Sequence, residues 1–426
     1  MLNGINSAEN PDRMKKSHFL CFLLSMIYLH MSGGGFQLFY HGQRQTGMGN
    51  AGTGLALDGS SIFFNPGSLV FNRSNSVQLG TNAIFTNTSF LENPNSIYQA
   101  NMDTLLFTPI HFYTVWQGKK KVQERKWSFG LGINNPFLGG SKWQDDWNGK
   151  FISQELAINT FFMQPTASYK LTQQIGLGVG FSLGFLSFLS RRAIEVDGQG
   201  GRVGSVRLSG TGNGLGLNAG LFIQANERLS LGLSYRTPIF VNLKKGSVRF
   251  DVPESLRDVF PDTQFNTDIT LPGTLNIGIG YRPDEKWTLA FDINFTGWQT
   301  YDSLIFDFAI PIKQLQKHPE EKAYQKSASF RMGGEYEVSP KFKFRAGAYF
   351  DQSPVPDGFV SPELPDANRI GLSAGLGLNF APNLEIDLSY LFEYTGERTS
   401  FLSQSQFGGT YRSGTNVYGL GIRYNF

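Results

Sequence analysis

Residues 175–185 read IGLGVGFSLGF: isoleucine, leucine, valine, phenylalanine, leucine and phenylalanine at the odd positions, glycine or serine at every even one. Successive side chains on a β-strand point to opposite faces, so this stretch has one continuous apolar face and one nearly bare face. A helix is disfavoured, because glycine at every second position destabilises it and the apolar residues would spread around it. The same period of two recurs at Leu215–Ile223, Trp287–Phe295, Ile370–Phe380, Leu384–Tyr390 and Tyr418–Phe426. Soluble sandwiches also alternate, with the apolar face turned inward. Here the opposite face is dominated by glycine and serine, as suits a wall whose inside meets another segment of its own chain. With 38 phenylalanines, 50 glycines and only 17% charged residues among 426, the chain predicts an all-β fold. The expected form is a transmembrane antiparallel β-barrel whose apolar side chains face lipid.

The connections supply a second count. Short turns are expected near Gln117–Arg125, Thr172–Gln174, Ala225–Arg228, Arg282–Glu285, Val338–Pro340 and Ala381–Asn383. Long irregular stretches are expected near Ser89–Thr104, Gly139–Gln154, Arg192–Gly212, Asp251–Thr267, Thr300–Tyr324, Gln352–Asn368 and Thr395–Gly414. Their alternation implies about fourteen strands, with short turns on the periplasmic side and long loops outside. Trp116, Trp127 and Trp287 flank short turns, as in a periplasmic aromatic girdle; Trp143, Trp147 and Trp298 fall near long loops, on the other rim.

Met14-Lys15-Lys16 followed by the apolar run Phe19–Met31 and the small residues after it reads as a secretory signal peptide. Residues 1–32 are therefore expected to be the leader, with 1–13 a start-site extension. Cys21, the one cysteine, lies inside the leader, so no disulfide or thiol chemistry is expected of the mature chain. Export together with alternating strands points to the outer membrane of a Gram-negative bacterium. A formal net charge of +3 over the whole chain gives no argument for nucleic acid.

Residues 33–72, GGGFQLFYHGQRQTGMGNAGTGLALDGSSIFFNPGSLVFN, are too rich in glycine to form a stable domain alone. They are expected to be a hatch, or plug, inside the lumen of a barrel formed by residues 73–426. Gly47–Gly52 formally matches G-x-G-x-x-G, but the preceding strand and following helix of a dinucleotide site are missing, so these glycines read as tight turns. The run Ser60–Leu69 (SSIFFNPGSL) resembles the FadL/TodX family of outer-membrane transporters of long-chain fatty acids and other hydrophobic molecules. Members of that family have a glycine-rich plug, an Asn-Pro-Ala or Asn-Pro-Gly turn and then the first strand, and Asn65, Pro66 and Gly67 match the turn. Leu131–Gly140 (LGINNPFLGG), Trp143–Ile152 (WQDDWNGKFI), Leu271-Pro272 opening a strand, Trp298 ending one, and Asp351–Val355 with Leu364–Arg369 extend the resemblance over nearly the whole mature chain.

The resemblance implies passive uptake of a hydrophobic ligand, and release through a gap in the wall where the third strand is kinked. Asn135, Pro136 and Phe137 occupy that place. Proline cannot donate to a ladder, so Pro136 either opens such a gap or ends the strand at its rim. Phe36, Phe39, Phe63 and Phe64 either line a ligand pocket or anchor the plug. Leu186 and Phe188 turn apolar groups toward the lumen through a bulge or as a greasy groove. Arg44, Arg191 and Arg192 are candidates for meeting a ligand carboxylate. The expected partners are a hydrophobic ligand and outer-membrane lipid, with the protein monomeric and no cofactor or metal. His41, His111 and His318 sit in no catalytic motif, and the acid pairs Asp145-Asp146 and Glu320-Glu321 read as solvated loop residues, so no enzyme is expected. The alternatives are a general porin, which would require charged rings in the lumen, and a secretion or surface-assembly helper.

Overall fold

The computed structural model describes residues 34–92, 96–117, 124–196, 203–310, 320–403 and 405–426. The expected leader with Cys21, and His318, lie outside the described residues. Fourteen antiparallel strands close into a barrel. They are β1 (Ser76–Glu92), β2 (Gln99–Asn101, Leu105–Phe107 and Ile110–Trp116), β3 (Trp127–Asn134 and Leu138–Lys142), β4 (Glu155–Lys170) and β5 (Ile175–Glu195). Then follow β6 (Val203–Gln224), β7 (Leu229–Arg236 and Ile239–Asp251), β8 (Thr263–Leu271 and Thr274–Tyr281), β9 (Trp287–Thr296 and Asp307–Phe308) and β10 (Ser327–Ser339). The last are β11 (Phe342–Asp351), β12 (Arg369–Ala381), β13 (Leu384–Leu402) and β14 (Phe407–Asn425). β14 pairs with β1 along its whole length, from Ser76↔Asn425 to Glu92↔Gly409, and leaves no free edge there.

The apolar faces read from the sequence point outward. Leu177, Val179, Phe181 and Phe185 on β5 and Tyr418, Leu420, Ile422 and Tyr424 on β14 are all exposed. Trp127 packs on Tyr169 at 4.6 Å and Trp287 on Tyr336 at 4.7 Å, beside the short turns as expected. The other three tryptophans differ: Trp143, Trp147 and Trp298 are buried rather than displayed on a rim. Trp143 and Trp147 stack at 4.4 Å under their loop, where burial of both rings outweighs any gain at an interface.

The connections also differ from expectation. β5 runs on to Glu195 and β6 begins at Val203, so most of the expected loop 192–212 is strand. β13 and β14 likewise extend to Leu402 and from Phe407. Above the bilayer the outer face meets water and turns polar, so the lipid-facing apolar signal ends while the backbone ladder continues and the inner face carries Val206 and Leu208. Leu271-Pro272 does not open a strand; Pro272-Gly273 interrupts β8.

Residues 34–72 lie against the inner face of the wall. Their backbone approaches wall glycines so closely that side chains would not fit. A Cβ on Gly67 would stand 2.7 Å from the Gly220 carbonyl oxygen and 2.9 Å from that of Gly176. Gly49, at φ +65°, fits against Met332 and Ala348, and the neighbouring Met48 backbone rests on Gly333 and Gly347. Polar groups of the wall complete the segment's hydrogen bonds. The Asp292 carboxylate accepts from the backbone N–H of Gly52 and Thr53, both at 2.8 Å; Gly49 donates to Ser373 Oγ at 2.9 Å; Ser230 Oγ donates to the Gly54 carbonyl at 2.6 Å. Asn65 binds Gly67 N–H with its side-chain oxygen and donates to the carbonyls of Thr53 and Leu221, which fixes the turn into Pro66–Phe71.

Gly333→Val is expected to lower stability by about 1–3 kcal/mol through overpacking between segment and wall. Gly414→Val, where no atom lies within 4 Å of the new Cβ, is the control and should change little. Denaturant unfolding of the purified barrels measures both, and equal effects at the two sites would contradict the close-contact account.

Candidate functional site

On β5 the lumen-facing residues change along the strand from Gly176, Gly178, Gly180, Ser182 and Gly184 to Leu186 and Phe188. The β5–β6 register is continuous from Ile175↔Ile223 to Glu195↔Val203, so no bulge turns these two side chains inward. They belong to the inner face by parity and join Leu156, Ile158, Phe162, Val206, Leu208 and Phe265 in one buried apolar cluster. Loop residues Tyr301, Leu304, Tyr324 and Val360 complete it.

A cavity of about 320 Å³ opens in this cluster, within the ~300–1,000 Å³ range of small-molecule sites. Leu156, Phe188, Leu208, Leu304, Phe306, Phe308, Phe359 and Leu364 form its apolar lining. Its polar lining is Ser190, Arg192, Glu320, Lys322, Ser361 and Glu363, with the hydroxyl-bearing Tyr301 and Tyr324. Lys322 donates to Glu363 at 2.5 Å and to Glu320 at 3.4 Å, and Arg192 reaches Glu320 at 3.5 Å. Burial alone would discharge Lys322, but the carboxylates of Glu363 and Glu320 outweigh it and hold the ammonium well above the ordinary lysine range. Burial likewise opposes charge on Glu320, yet Lys322 and Arg192 keep its pKa below the ordinary glutamate range. Two cations face two carboxylates, and the polar lining balances to zero.

A second cavity, of about 120 Å³, shares Tyr324 and Leu364 with the first. It is lined by Phe36, Leu38 and Tyr40 of the leading segment and by Phe107 of β2 and Leu138, Gly139 and Gly140 of β3. There the wall is interrupted. The lower piece of β3 pairs with β2 from Trp116↔Phe129 up to His111↔Asn134. Beyond Asn135–Phe137, among the described residues, Leu138–Lys142 pairs with β4 alone. Two hydrogen bonds bound the break: Ile110 N–H to Asn135 Oδ1 at 2.9 Å below, and Asp103 N–H to the Lys142 carbonyl at 2.8 Å above. The leading segment lies along it. Gln37 bridges Phe137, Leu38 N–H donates to the Pro136 carbonyl at 2.8 Å, and Leu138 N–H donates to that of Phe36 at 2.9 Å.

The structure therefore brings together Phe36, Phe137, Leu186 and Phe188 in the apolar cluster, with Pro136 at its edge. Phe36 packs on Trp298 at 4.8 Å and Tyr301 at 5.4 Å. Phe63 and Phe64 lie apart, in a cluster with Ile62, Leu69, Tyr113 and Val115, where they anchor the segment. Phe39 sits under the Arg331 guanidinium at 3.8 Å, again an anchoring contact. Arg44 is held by Glu335 through two hydrogen bonds of 2.5 and 2.8 Å. Arg191 faces outward and pairs with Asp145 at 2.6 Å. Of the three arginines only Arg192 reaches the cavity. Glu320 is no solvated loop acid but part of the lining. Sequence reasoning missed Lys322, Glu363, Tyr301 and Tyr324, because they come from loops with no periodicity; the aromatic density around Trp298–Tyr301 was the available signal.

Residues 24–426 match the family described as outer membrane protein transport protein (OMPP1/FadL/TodX). Outer membrane protein P1 of Haemophilus influenzae is 21% identical over 342 residues, covering 71% of this chain and 72% of that protein. The long-chain fatty acid transport protein of Escherichia coli K12 is 21% identical over 299 residues, covering 62% and 66%. The crystal structure of a Pseudomonas aeruginosa FadL homologue superposes with a TM-score of 0.81 at 19% identity, over 92% of this chain and 100% of the other.

Lys322→Met leaves Glu320 and Glu363 facing each other in a largely buried site and is expected to destabilise the protein by about 3 kcal/mol. Adding Glu363→Gln should recover part of that loss. A double-mutant cycle in denaturant measures the coupling, and simple additivity of the two changes would show that the pair does not interact.

Proposed function

The chain belongs to the OMPP1/FadL/TodX family, and from that premise we propose that it takes up an elongated hydrophobic molecule and releases it sideways through the break in β3. The protein resides in the outer membrane of a Gram-negative bacterium, and members of the family are transport channels for fatty acids and hydrocarbons rather than enzymes. One observation carries the proposal. An apolar cavity under the loops adjoins a second cavity that abuts the interrupted part of the wall, with Tyr324 and Leu364 between them.

In this reading ligand enters among the outer loops and settles along Phe188, Leu208, Phe306 and Phe359. Burial contributes roughly 0.8 kcal/mol per methylene. Passage past Tyr324 and Leu364 brings it behind Phe36–Leu38. Those residues cross the break through a few backbone hydrogen bonds, each worth only about 1 kcal/mol net. Their displacement connects the cavity with the bilayer between β2 and β3. Residues 34–72 then serve as a hatch: the portion from Gln43 onward is held by wall glycines and ion pairs, and the leading portion moves. A general porin fits poorly, since the bore is filled by that segment.

Phe188→Asp places an unpaired charge in the cavity and is expected to reduce uptake of labelled oleate at least tenfold while the barrel still folds. Cells with wild-type, variant and no protein, matched for folded protein by heat-modifiable gel mobility, provide the comparison; uptake unaffected by the variant would remove the cavity from the route. Deleting residues 34–60 should give a barrel that inserts into planar bilayers and conducts ions. An inserted but non-conducting barrel would rule out the hatch.

A further inference from the structure

The outer faces of β5, β6 and β7 rise beyond the apolar band at the end carrying the longer loops. On β6 the outward residues change from Leu217 and Leu215 to Asn213, Thr211, Ser209 and Arg207; on β7 they change from Phe240 to Asn242, Lys244 and Arg249. The register sets Arg191 opposite Arg207, and Arg207 opposite Arg249, on three consecutive strands. Lys244 and Lys245 lie nearer the bilayer, where the β7 register shifts and Lys245 adopts φ +56°. Like charges placed directly across a ladder repel, so each member of such a row is stabilised by a counter-anion.

Arg191 has its anions within the chain, in Asp145 at 2.6 Å and Glu155 at 3.6 Å. Elsewhere at this end, the outward strand cations are also paired: Lys142 with Asp103 at 3.1 Å and Arg412 with Glu397 at 3.5 Å. Among the described residues, the side chains of Arg207, Lys244, Lys245 and Arg249 have neither ion pair nor hydrogen bond. The neighbouring acids do not supply one. Asp268 accepts from the Asn242 amide, Asp262 accepts from Phe250 N–H at 3.0 Å, and Asp251 lies beyond Arg249 opposite Ser205. At ~3.4 Å per residue along strands tilted by roughly 40°, the two lysines stand about 10 Å above Phe240 on β7 and the two arginines about 20 Å above Phe240 and Leu215. On β5 the apolar outer face runs up to Leu189, opposite Ser209.

We propose that Arg207, Lys244, Lys245 and Arg249 form a binding site for the phosphate groups of the phosphorylated glycolipid in the outer leaflet. Its acyl chains lie along the apolar face of β5–β7. The lysines meet the phosphates next to the acyl chains, and the arginines meet anionic groups further out in the sugar. The cations act here as they do at any anionic membrane surface, with the lipid fixed to one sector of the circumference.

Native mass spectrometry of the purified full-length protein in detergent tests this, with bisphosphorylated lipid A as probe and the same lipid after phosphatase treatment as comparison. Wild type should retain the phosphorylated lipid, and the dephosphorylated lipid should bind at least about tenfold more weakly. Lys244→Gln with Lys245→Gln should weaken retention about tenfold, adding Arg207→Gln and Arg249→Gln should weaken it further, and Arg412→Gln should leave it unchanged. Equal retention by the quadruple variant and wild type overturns the site. Should that variant fail to fold, the wild-type protein still decides, because equal binding of the two lipids overturns it as well.

Discussion

A closed wall of this many strands encloses a bore too wide for its own inward side chains to fill, and the contact of one backbone with another is what fills it here. Glycine on the inner face lets residues 43–72 lie within van der Waals distance of the strands. At that distance wall carboxylates and hydroxyls reach the segment's own N–H and carbonyl groups, which a dry lumen would otherwise leave unsatisfied. The glycines therefore provide room rather than flexibility. Where β5 changes from Gly184 to Leu186 and Phe188, the same approach is impossible. The segment there gives way to loop residues, and a cavity remains between them. Close backbone contact and open cavity are two consequences of one change in side-chain size along a strand.

Charge reinforces the division. Arg44 binds Glu335, Glu335 binds Arg345 at 2.7 Å, and Arg345 reaches Asp387 and Glu385; Glu385 is bound by Arg423, which lies 3.9 Å from Asp58. The chain of ion pairs begins and ends on the inserted segment. Buried pairs of this kind are poor sources of net stability, because desolvation offsets most of the attraction. Shifting any member strands a charge, so they select one seating of the segment over others. The leading residues 34–38 take part in no such lattice. Asp366 and Arg369 hold Gly35 through its N–H and carbonyl, at 3.2 and 2.7 Å, and the rest is a few hydrogen bonds to β3 and Thr296 with aromatic packing.

The barrel was legible in the sequence because lipid enforces the period of two on its outer face: Tyr418–Phe426 and Trp287–Phe295 carry that signal strand by strand. The strand count followed from the turns, which are short and carry turn residues. Strand lengths were not legible. From Arg192 and from Thr395 onward the outer face meets water and turns polar, the apolar residues that remain, such as Val206 and Leu208, lie on the inner face, and paired strands read as loops. Of the site, Leu186 and Phe188 were visible as large apolar residues on the face otherwise kept to glycine and serine, whereas Lys322, Glu363 and Tyr324 were not, because side chains from separate loops converge only in three dimensions. Arg44 and Arg191 were plausible partners for a carboxylate by type alone, and each already has a carboxylate of the chain.

On the proposed function, pairing within the chain also governs what the cavity would select. A ligand carboxylate entering the first cavity finds Lys322 and Arg192 already neutralised by Glu363 and Glu320. To be buried there it must displace a glutamate or remain unpaired, and an unpaired buried charge costs far more than a polar contact. Each methylene that follows contributes roughly 0.8 kcal/mol whether or not the molecule carries a charge at its end. On the proposed function, the apolar lining would set how strongly a molecule is held, and the balanced polar lining which end it presents. On the proposed route, a neutral hydrophobe would lie in the cavity in either direction, whereas an amphiphile would keep its head toward the water among the loops and advance tail first toward Tyr324 and Leu364.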